Sequence, residues 1–316
     1  MIGKETAKAI DCLQKGELVA IPTETVYGLA GNALEDEVVS RIFEIKNRPA
    51  FDPLIVHTHS LAEMEKYVLD IPEPARQLAA RFMPGPLTLL LEKNAQIPDL
   101  VTAGSAWVAM RIPAHPLALQ VLQALPFPLA APSANPFGYI SPTSAQHVAA
   151  QLGEKIPYIL DGGPCQVGVE STIVSFAESK VKVLRKGGLS MEDIEAVIGK
   201  VAVQAQSSSN PQAPGMLKSH YAPKIPFFLG NLELLHRHFK GKRIGVLAFQ
   251  HTLEAVPTAQ QFVLTPTGDL TEAARVLFAA MRHLDALALD VIIAEPVPEE
   301  GLGRAINDRL RRAAAG

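Results

Sequence analysis

Residues 18–29, Leu18-Val19-Ala20-Ile21-Pro22-Thr23-Glu24-Thr25-Val26-Tyr27-Gly28-Leu29, join an apolar run to a turn of hydroxyls and one carboxylate. A run of four apolar residues stopped by proline reads as a buried strand. In α/β sheets the strand ends are where ligands sit, so the turn is a candidate binding loop. A turn whose Thr and Glu merely satisfy backbone ends would read the same. Upstream, Ala7, Ile10 and Leu13 recur at helical spacing and Gly16 ends that helix. Downstream, Val38, Val39, Ile42, Phe43 and Ile45 mark a helix that stops near Lys46–Pro49, because proline restricts the residue before it.

The same alternation continues. Runs at 54–56, 87–91, 108–112, 129–131, 158–160, 172–175 and 181–184 read as strands, and 61–68, 74–82, 117–125, 145–152 and 191–198 as helices. Several strands follow one another directly, which predicts a mixed α/β sheet rather than a purely parallel one. Composition changes at 203–214, VQAQSSSNPQAP, a polar stretch with two prolines that reads as a linker. Beyond it, 226–229, 244–249, 261–264 and 291–294 read as strands, with helices at 232–239, 270–287 and 303–315, a small βα repeat that predicts a parallel sheet. The expected organisation is a catalytic unit at 1–200, a linker or lid at 201–224 and a smaller α/β unit at 225–316.

Hydrophobic residues make up 48% and charged residues 19% of the 316, enough for a sizeable core. Lys and Arg number 29 against 32 Asp and Glu, a net charge of -3, which argues against a nucleic-acid binder while allowing a local basic cleft. Cys12 and Cys165 have no metal-like spacing and read as reduced thiols of a cytoplasmic protein. No signal peptide and no stretch fit to span a bilayer is evident. The phosphate loop, a complete G-x-G-x-x-G, H-E-x-x-H, paired C-x-x-C and G-x-S-x-G are all missing from the sequence. A nucleotide site here must use another architecture.

Chemistry-bearing residues gather at the strand ends. Lys46 and Arg48 could grip phosphates, although cations also favour helix C-termini for dipole reasons. Asp52 and His57 follow. Arg111, near the end of the apolar strand that begins at Trp107, needs a carboxylate partner, either an internal glutamate or a substrate. Ala131-Pro132-Ser133-Ala134-Asn135 and Ser141 offer small and hydrogen-bonding groups, or a plain turn and helix cap. Asp161-Gly162-Gly163, the 168–172 loop with Ser171, and Arg185 repeat the theme. Residues 213–223 place His220 and Tyr221 in what is otherwise a linker, a pattern that suits a lid.

Singly these signals are weak; in series they are specific. PTETVYGL (22–29), KNRP (46–49), PLIVH (53–57), PGPLTLLL (84–91), VAMRIPAHP (108–116), APSAN (131–135), SPT (141–143), DGG (161–163), GVEST (168–172), VLRKGG (183–188) and PGM…HYAP (214–223) resemble the YrdC-domain family in its threonylcarbamoyl-AMP synthase form, over about residues 15–223. The remainder resembles the Rossmann-like domain of the long, two-domain form. The resemblance implies a twisted mixed sheet around a large, basic, concave cleft. It implies synthesis of threonylcarbamoyladenylate and pyrophosphate from L-threonine, bicarbonate and ATP, with Mg²⁺ accompanying the nucleotide through ligands it does not specify. The product feeds a threonylcarbamoyladenosine modification of tRNAs reading A-starting codons, through downstream transfer machinery; direct RNA contact stays open.

By position, the family's threonine contacts fall on Thr25, His57, Arg111, Ala131 and Ser171, with Arg111 on the substrate carboxylate. Its ATP contacts fall on Arg48, Asp52, Trp107, Ser133, Ser141, Arg185 and Tyr221, and Lys46, Arg48, Ser133 and Asn135 match a catalytic quartet around the phosphates. Asp52 departs from the usual Asn, bulky Trp107 implies a backbone contact, and Leu217-Lys218-Ser219 departs from the usual linker residues. Two rivals are an RNA-binding module without catalysis and a maturation factor that forms a carbamoyl-adenylate. The first fits poorly with the charge. The second would need acylphosphatase and zinc-finger segments that the sequence does not contain.

Overall fold

The computed structural model describes residues 1–177, 181–204 and 220–316. Eleven strands among them build the larger sheet: β1 (Ile2–Gly3), β2 (Val19–Ile21), β3 (Gly28–Asn32), β4 (Ile55–His57), β5 (Leu87–Glu92), β6 (Trp107–Arg111), β7 (Leu129–Ala130), β8 (Tyr158–Leu160), β9 (Thr172–Ser175), β10 (Lys182–Arg185) and β11 (Ala202–Val203). Their order is β1-β8-β2-β3-β7-β4-β6-β5-β9-β10-β11. Parallel pairs such as β4 with β6 and β5 with β9 alternate with antiparallel ones such as β2 with β3 and β5 with β6, so the sheet is mixed, as the pattern predicts. It reaches Val203, beyond the expected end at residue 200. Most of the 203–214 linker and residues 213–219 of the expected lid lie outside the described residues.

Strand β3 has no counterpart in the sequence reading, because Gly-Leu-Ala-Gly-Asn is poor in strand formers. Its glycines answer to packing. A Cβ on Gly31 would stand 2.6 Å from Leu18 and 2.7 Å from Val38, so only glycine lets the Asp36–Lys46 helix lie directly on the strand. The helix expected over 61–68 is a short one, Leu61–Met64, continued by a single 3₁₀ turn, Glu65–Tyr67.

Strand alternation assigns the two faces. Val56, Leu89, Leu91, Val108, Met110 and Val174 turn to one side and form the main core with the Asp36–Lys46, Glu73–Phe82, Ala145–Leu152 and Met191–Ile198 helices. Ile55, Leu90, Ala109, Ile173 and Leu184 form a smaller apolar floor on the other side, with Trp107 packed against it. The register pairs Ile55 with Ala109 and His57 with Arg111. The floor therefore gives way to polar side chains at the carboxyl ends of β4 and β6.

The smaller sheet contains β12 (Phe227–Leu229), β13 (Ile244–Ala248), β14 (Gln261–Val263) and β15 (Val291–Ala294) in the order β12-β15-β13-β14, all parallel as expected. Its Leu270–Asp285 and Gly303–Ala313 helices press on the loops of the larger sheet. Val26, Ile140, Val169 and Tyr221 share a core with Leu277, Phe278 and Met281. Polar ties run alongside: Arg282 donates to the carbonyls of Ile140 and Ser141, and Tyr139 donates to Asp285.

Arg309 is 0% exposed and donates through Nε (3.1 Å) and Nη2 (2.9 Å) to Glu170 Oε2, and through Nη1 to the Lys186 carbonyl. Burial alone would raise the Glu170 carboxyl. Arg309, Arg185 and the Ser141 hydroxyl overcome it and bring the group down to about 2. Removing one partner of a buried pair strands the other charge. Arg309→Ala should cost about 3–5 kcal/mol in urea denaturation followed by Trp107 fluorescence. A carboxyl depressed in the fold binds its proton first in the unfolded chain, so the Glu170 contribution should be full at neutral pH and fade as pH falls from the ordinary glutamate range towards about 2.

Candidate active site

The β2–β3 connection is locked by its first hydroxyl. Thr23 Oγ1 donates to the Val26 carbonyl at 2.6 Å and accepts the N–H groups of Thr25 and Val26. That turn aims Glu24 and Thr25 at β6. Arg111 Nη2 donates to Glu24 Oε1 at 2.6 Å and to Thr25 Oγ1 at 2.9 Å, while Glu24 Oε2 accepts the N–H of Ala114. Arg111 thus has the internal glutamate as its partner. Its Nε remains buried without an acceptor.

His57 stands opposite Arg111 in register, with Nδ1 3.2 Å from the Ile55 carbonyl. Burial first, then the Arg111 charge, lowers its pKa to about 3. A ring that neutral near pH 7 serves as a hydrogen-bonding or packing group rather than as a cation.

β7 leads into Ala131-Pro132-Ser133-Ala134-Asn135, which folds back along β3. Gly28 bridges to Ser133, and a Cβ on Gly28 would lie 3.2 Å from the Ala131 Cβ. Lys46, at the end of its helix and 1% exposed, donates Nζ to the carbonyls of Ser133 and Asn135, each at 2.5 Å. It braces the wall from behind. Burial, with Arg48 next to it, pushes Lys46 well below the usual lysine range.

Asn47 adopts the left-handed conformation (φ 51°) that ends the helix and swings Arg48 round. Arg48 Nε donates to the Asp52 carbonyl (3.0 Å) and Nη2 to the Pro53 carbonyl (2.7 Å). Asp52 is 0% exposed, and its Oδ2 is 2.9 Å from Arg48 Nη2. That approach lacks hydrogen-bond geometry, so both carboxylate oxygens, like Asn135 Oδ1, are buried without a hydrogen-bond donor.

The opposite wall comes from β9 and β10. Ser171 Oγ is 2.7 Å from Thr88 Oγ1 and accepts from Arg185 Nη2 at 3.1 Å, and the Ser171 carbonyl also accepts from Arg185. Ser141 donates to Glu170 Oε1 at 2.6 Å. Tyr221, 1% exposed, closes the space with Arg309 and Arg312 over its ring and His220 edge-on to it.

Of the residues singled out in the sequence, Arg48, His57, Arg111, Ala131, Ser133, Arg185 and Tyr221 line one cleft. Thr25, Ser141 and Ser171 touch its walls through hydrogen bonds, whereas Lys46, Asn135 and Asp52 support the wall from within. Trp107 lies at the far end of β6 from Arg111, on the apolar floor and off the lining. The sequence reading gave no individual role to Thr23, Val26, Gly28, Ile55, Pro132 or Glu170, which also line the cleft, as does His220 of the expected lid. Glu170 sat unmarked inside the GVEST motif, and nothing in the sequence flagged its partner Arg309, 139 residues away.

The cleft holds ≈ 550 Å³ of empty space counting its mouth. Among the described residues no group of three or more His, Cys, Asp or Glu could hold a metal by itself, and no helix is long and apolar enough to cross a membrane. If the charge state of His57 follows from this burial, its ring should show no protonation between pH 8 and pH 5 in NMR spectra of the intact protein. A midpoint near the ordinary histidine value would contradict the geometry.

A family model for the Sua5, YciO and YrdC proteins, described as "Telomere recombination", matches residues 11–187, and one described as "Threonylcarbamoyl-AMP synthase, C-terminal domain" matches residues 189–315. The threonylcarbamoyl-AMP synthase of Pyrococcus abyssi is 45% identical over 95% of this chain and 91% of its own, and that of Bacillus subtilis is 41% identical over 99% and 93%. The crystal structure of Pyrococcus abyssi Sua5 complexed with L-threonine superposes with a TM-score of 0.92 at 41% identity, covering 100% of this chain and 97% of that one. With both of its sheets accounted for along nearly the whole length, the chain belongs to the Sua5/YciO/YrdC family, in the form that carries the additional C-terminal domain.

Proposed function

We propose that this cleft condenses L-threonine, bicarbonate and ATP into threonylcarbamoyl-AMP and pyrophosphate, for the threonylcarbamoyladenosine modification of tRNAs reading A-starting codons. The full-length kinship with threonylcarbamoyl-AMP synthases supports it. The observation that carries it is a convergence of arginines. Arg48, Arg111 and Arg185 line one buried cleft, and Arg111, held by Glu24 through Nη2, keeps an Nε with no acceptor. Such a site calls for anions, and the substrates supply a carboxylate, a bicarbonate and a triphosphate.

In this reading the threonine carboxylate takes the unengaged Nε edge of Arg111, with Thr25, His57, Ala131 and Ser171 around the amino acid. Arg48, Ser133, Ser141, Arg185 and Tyr221 surround the nucleotide, and Lys46 and Asn135 keep the Ser133 loop in place. The threonine amine captures bicarbonate as a carbamate, with loss of water. A carbamate oxygen then attacks the α-phosphorus in line, an O–P bond forms, the bond to the bridging oxygen breaks, and pyrophosphate leaves with that electron pair. Alignment and positive charge carry such a step without a covalent enzyme intermediate. Mg²⁺ bound to a nucleotide needs only one or two protein oxygens. The Asp52 carboxylate does not fit that need, because it is sealed inside the wall and lies 2.9 Å from the Arg48 guanidinium.

The carbamate and the mixed anhydride both hydrolyse, so water must be kept out. His220 and Tyr221 line the cleft and belong to the 213–223 segment, which supports a lid that closes over the nucleotide. The product would pass to a separate transfer machinery. Deleting residues 213–223 should abolish most adenylate formation while leaving L-threonine binding to the larger unit measurable by calorimetry; full activity in the deletion would end the lid role. The reaction itself is tested by pyrophosphate release from ATP. It should require both L-threonine and bicarbonate, and release without either would exclude this chemistry.

A further inference from the structure

A second crevice opens on the smaller sheet, away from the cleft described above. The order β12-β15-β13-β14 sets β15 beside β13. The chain leaves β13 towards β14 on one flank. It leaves β15 into the Gly303–Ala313 helix, which packs on β12 on the other flank. Loops from two adjacent parallel strands therefore diverge. The gap outside the carboxyl ends at such a switch point is where open α/β sheets hold ligands. A crevice of ≈ 300 Å³ occupies this gap, lined by residues that follow β12, β13 and β15.

The walls are fixed before any ligand arrives. Glu295 Oε1 accepts the Phe249 N–H at 2.8 Å and so ties the loop after β15 to the loop after β13. Gln261 clamps the far wall: its Oε1 accepts the Leu253 N–H at 2.7 Å and its Nε2 donates to the Leu253 carbonyl at 2.9 Å. Asn231 Oδ1 accepts the Leu234 N–H at 3.0 Å and holds the near wall. Pre-formed walls of this kind lower the ordering cost of binding.

Its chemistry is the reverse of the main cleft. No lysine or arginine lines it, whereas Glu233 and Glu295 do, so a phosphate would meet repulsion. Leu232, Phe249 and Leu253 supply an apolar floor, and Gln250, His251 and Thr252 add hydrogen-bonding groups. Glu295 Oε2 accepts no hydrogen bond from the described residues, so a carboxylate with spare lone pairs stands beside an apolar surface. A planar base suits that surface, and a ribose diol suits that carboxylate. We propose that this crevice binds a phosphate-free nucleoside.

The test uses the full chain with isotope-labelled histidine, the His251 signal being identified by its loss in His251→Gln. Adenosine should shift that signal saturably, and AMP should need on the order of tenfold higher concentration. Glu295→Gln keeps an acceptor for the Phe249 N–H but loses the charge, and should weaken adenosine severalfold. Arg48→Ala, in the main cleft, should leave the His251 titration unchanged. An unmoved His251 signal, an equal response to AMP, a preference for the diamine putrescine over adenosine, or unaltered affinity in Glu295→Gln would each overturn the assignment.

Discussion

Burying guanidinium groups is the constraint around which this molecule is organised. Arg48, Arg111, Arg185, Arg282, Arg309 and Arg312 are all nearly inaccessible to water, where an uncompensated charge is very costly. Carboxylates supply part of the compensation, Asp52 against Arg48, Glu24 against Arg111 and Glu170 against Arg309, and neutral dipoles supply more. Arg48 takes the carbonyls of Asp52 and Pro53, Arg185 that of Ser171, Arg282 those of Ile140 and Ser141, and Arg309 that of Lys186. Carbonyls satisfy hydrogen bonds without cancelling charge. A chain with a net charge of -3 thereby brings three buried guanidinium groups, Arg48, Arg111 and Arg185, to one cleft.

The same constraint explains the second unit. Glu170 lines the cleft and would neutralise part of its field, but Arg309 reaches in from the Gly303–Ala313 helix and restores the balance. Tyr221, pressed between Phe278 and the Arg309 and Arg312 side chains, completes an enclosure that neither sheet makes alone. Packing between the units is thus continuous with the chemistry of the site. Charge, hydrogen bonding and exclusion of water all change together if the contact is disturbed.

Much of this was legible in the sequence. Runs such as 87–91 and 108–112 carry their own strand signal, and residues at their ends were recognisable as a series of motifs. What escaped was set by contacts between distant segments. Strand β3 is a strand because two glycines let a helix and a loop approach, which no propensity scale encodes. An internal glutamate could be foreseen as one of two possible partners for Arg111, but only geometry shows that it is Glu24. Lys46 looked like a phosphate ligand and is placed behind the wall, because its helix ends with the side chain turned to the 133–135 carbonyls. Trp107 and Arg111 share a face, but they are separated by the length of β6, and a motif string cannot show that separation.

The claim on which all of this rests is that buried guanidiniums converging on one cleft form one receptor for a carboxylate next to a triphosphate. A crystal structure with L-threonine and a non-hydrolysable ATP analogue tests it directly. The account predicts Arg111 Nε on the amino-acid carboxylate and Arg48 and Arg185 at hydrogen-bonding distance from phosphate oxygens, with the amine facing the α-phosphorus. Phosphates bound away from Arg48 and Arg185, or a threonine carboxylate turned away from Arg111, would contradict it.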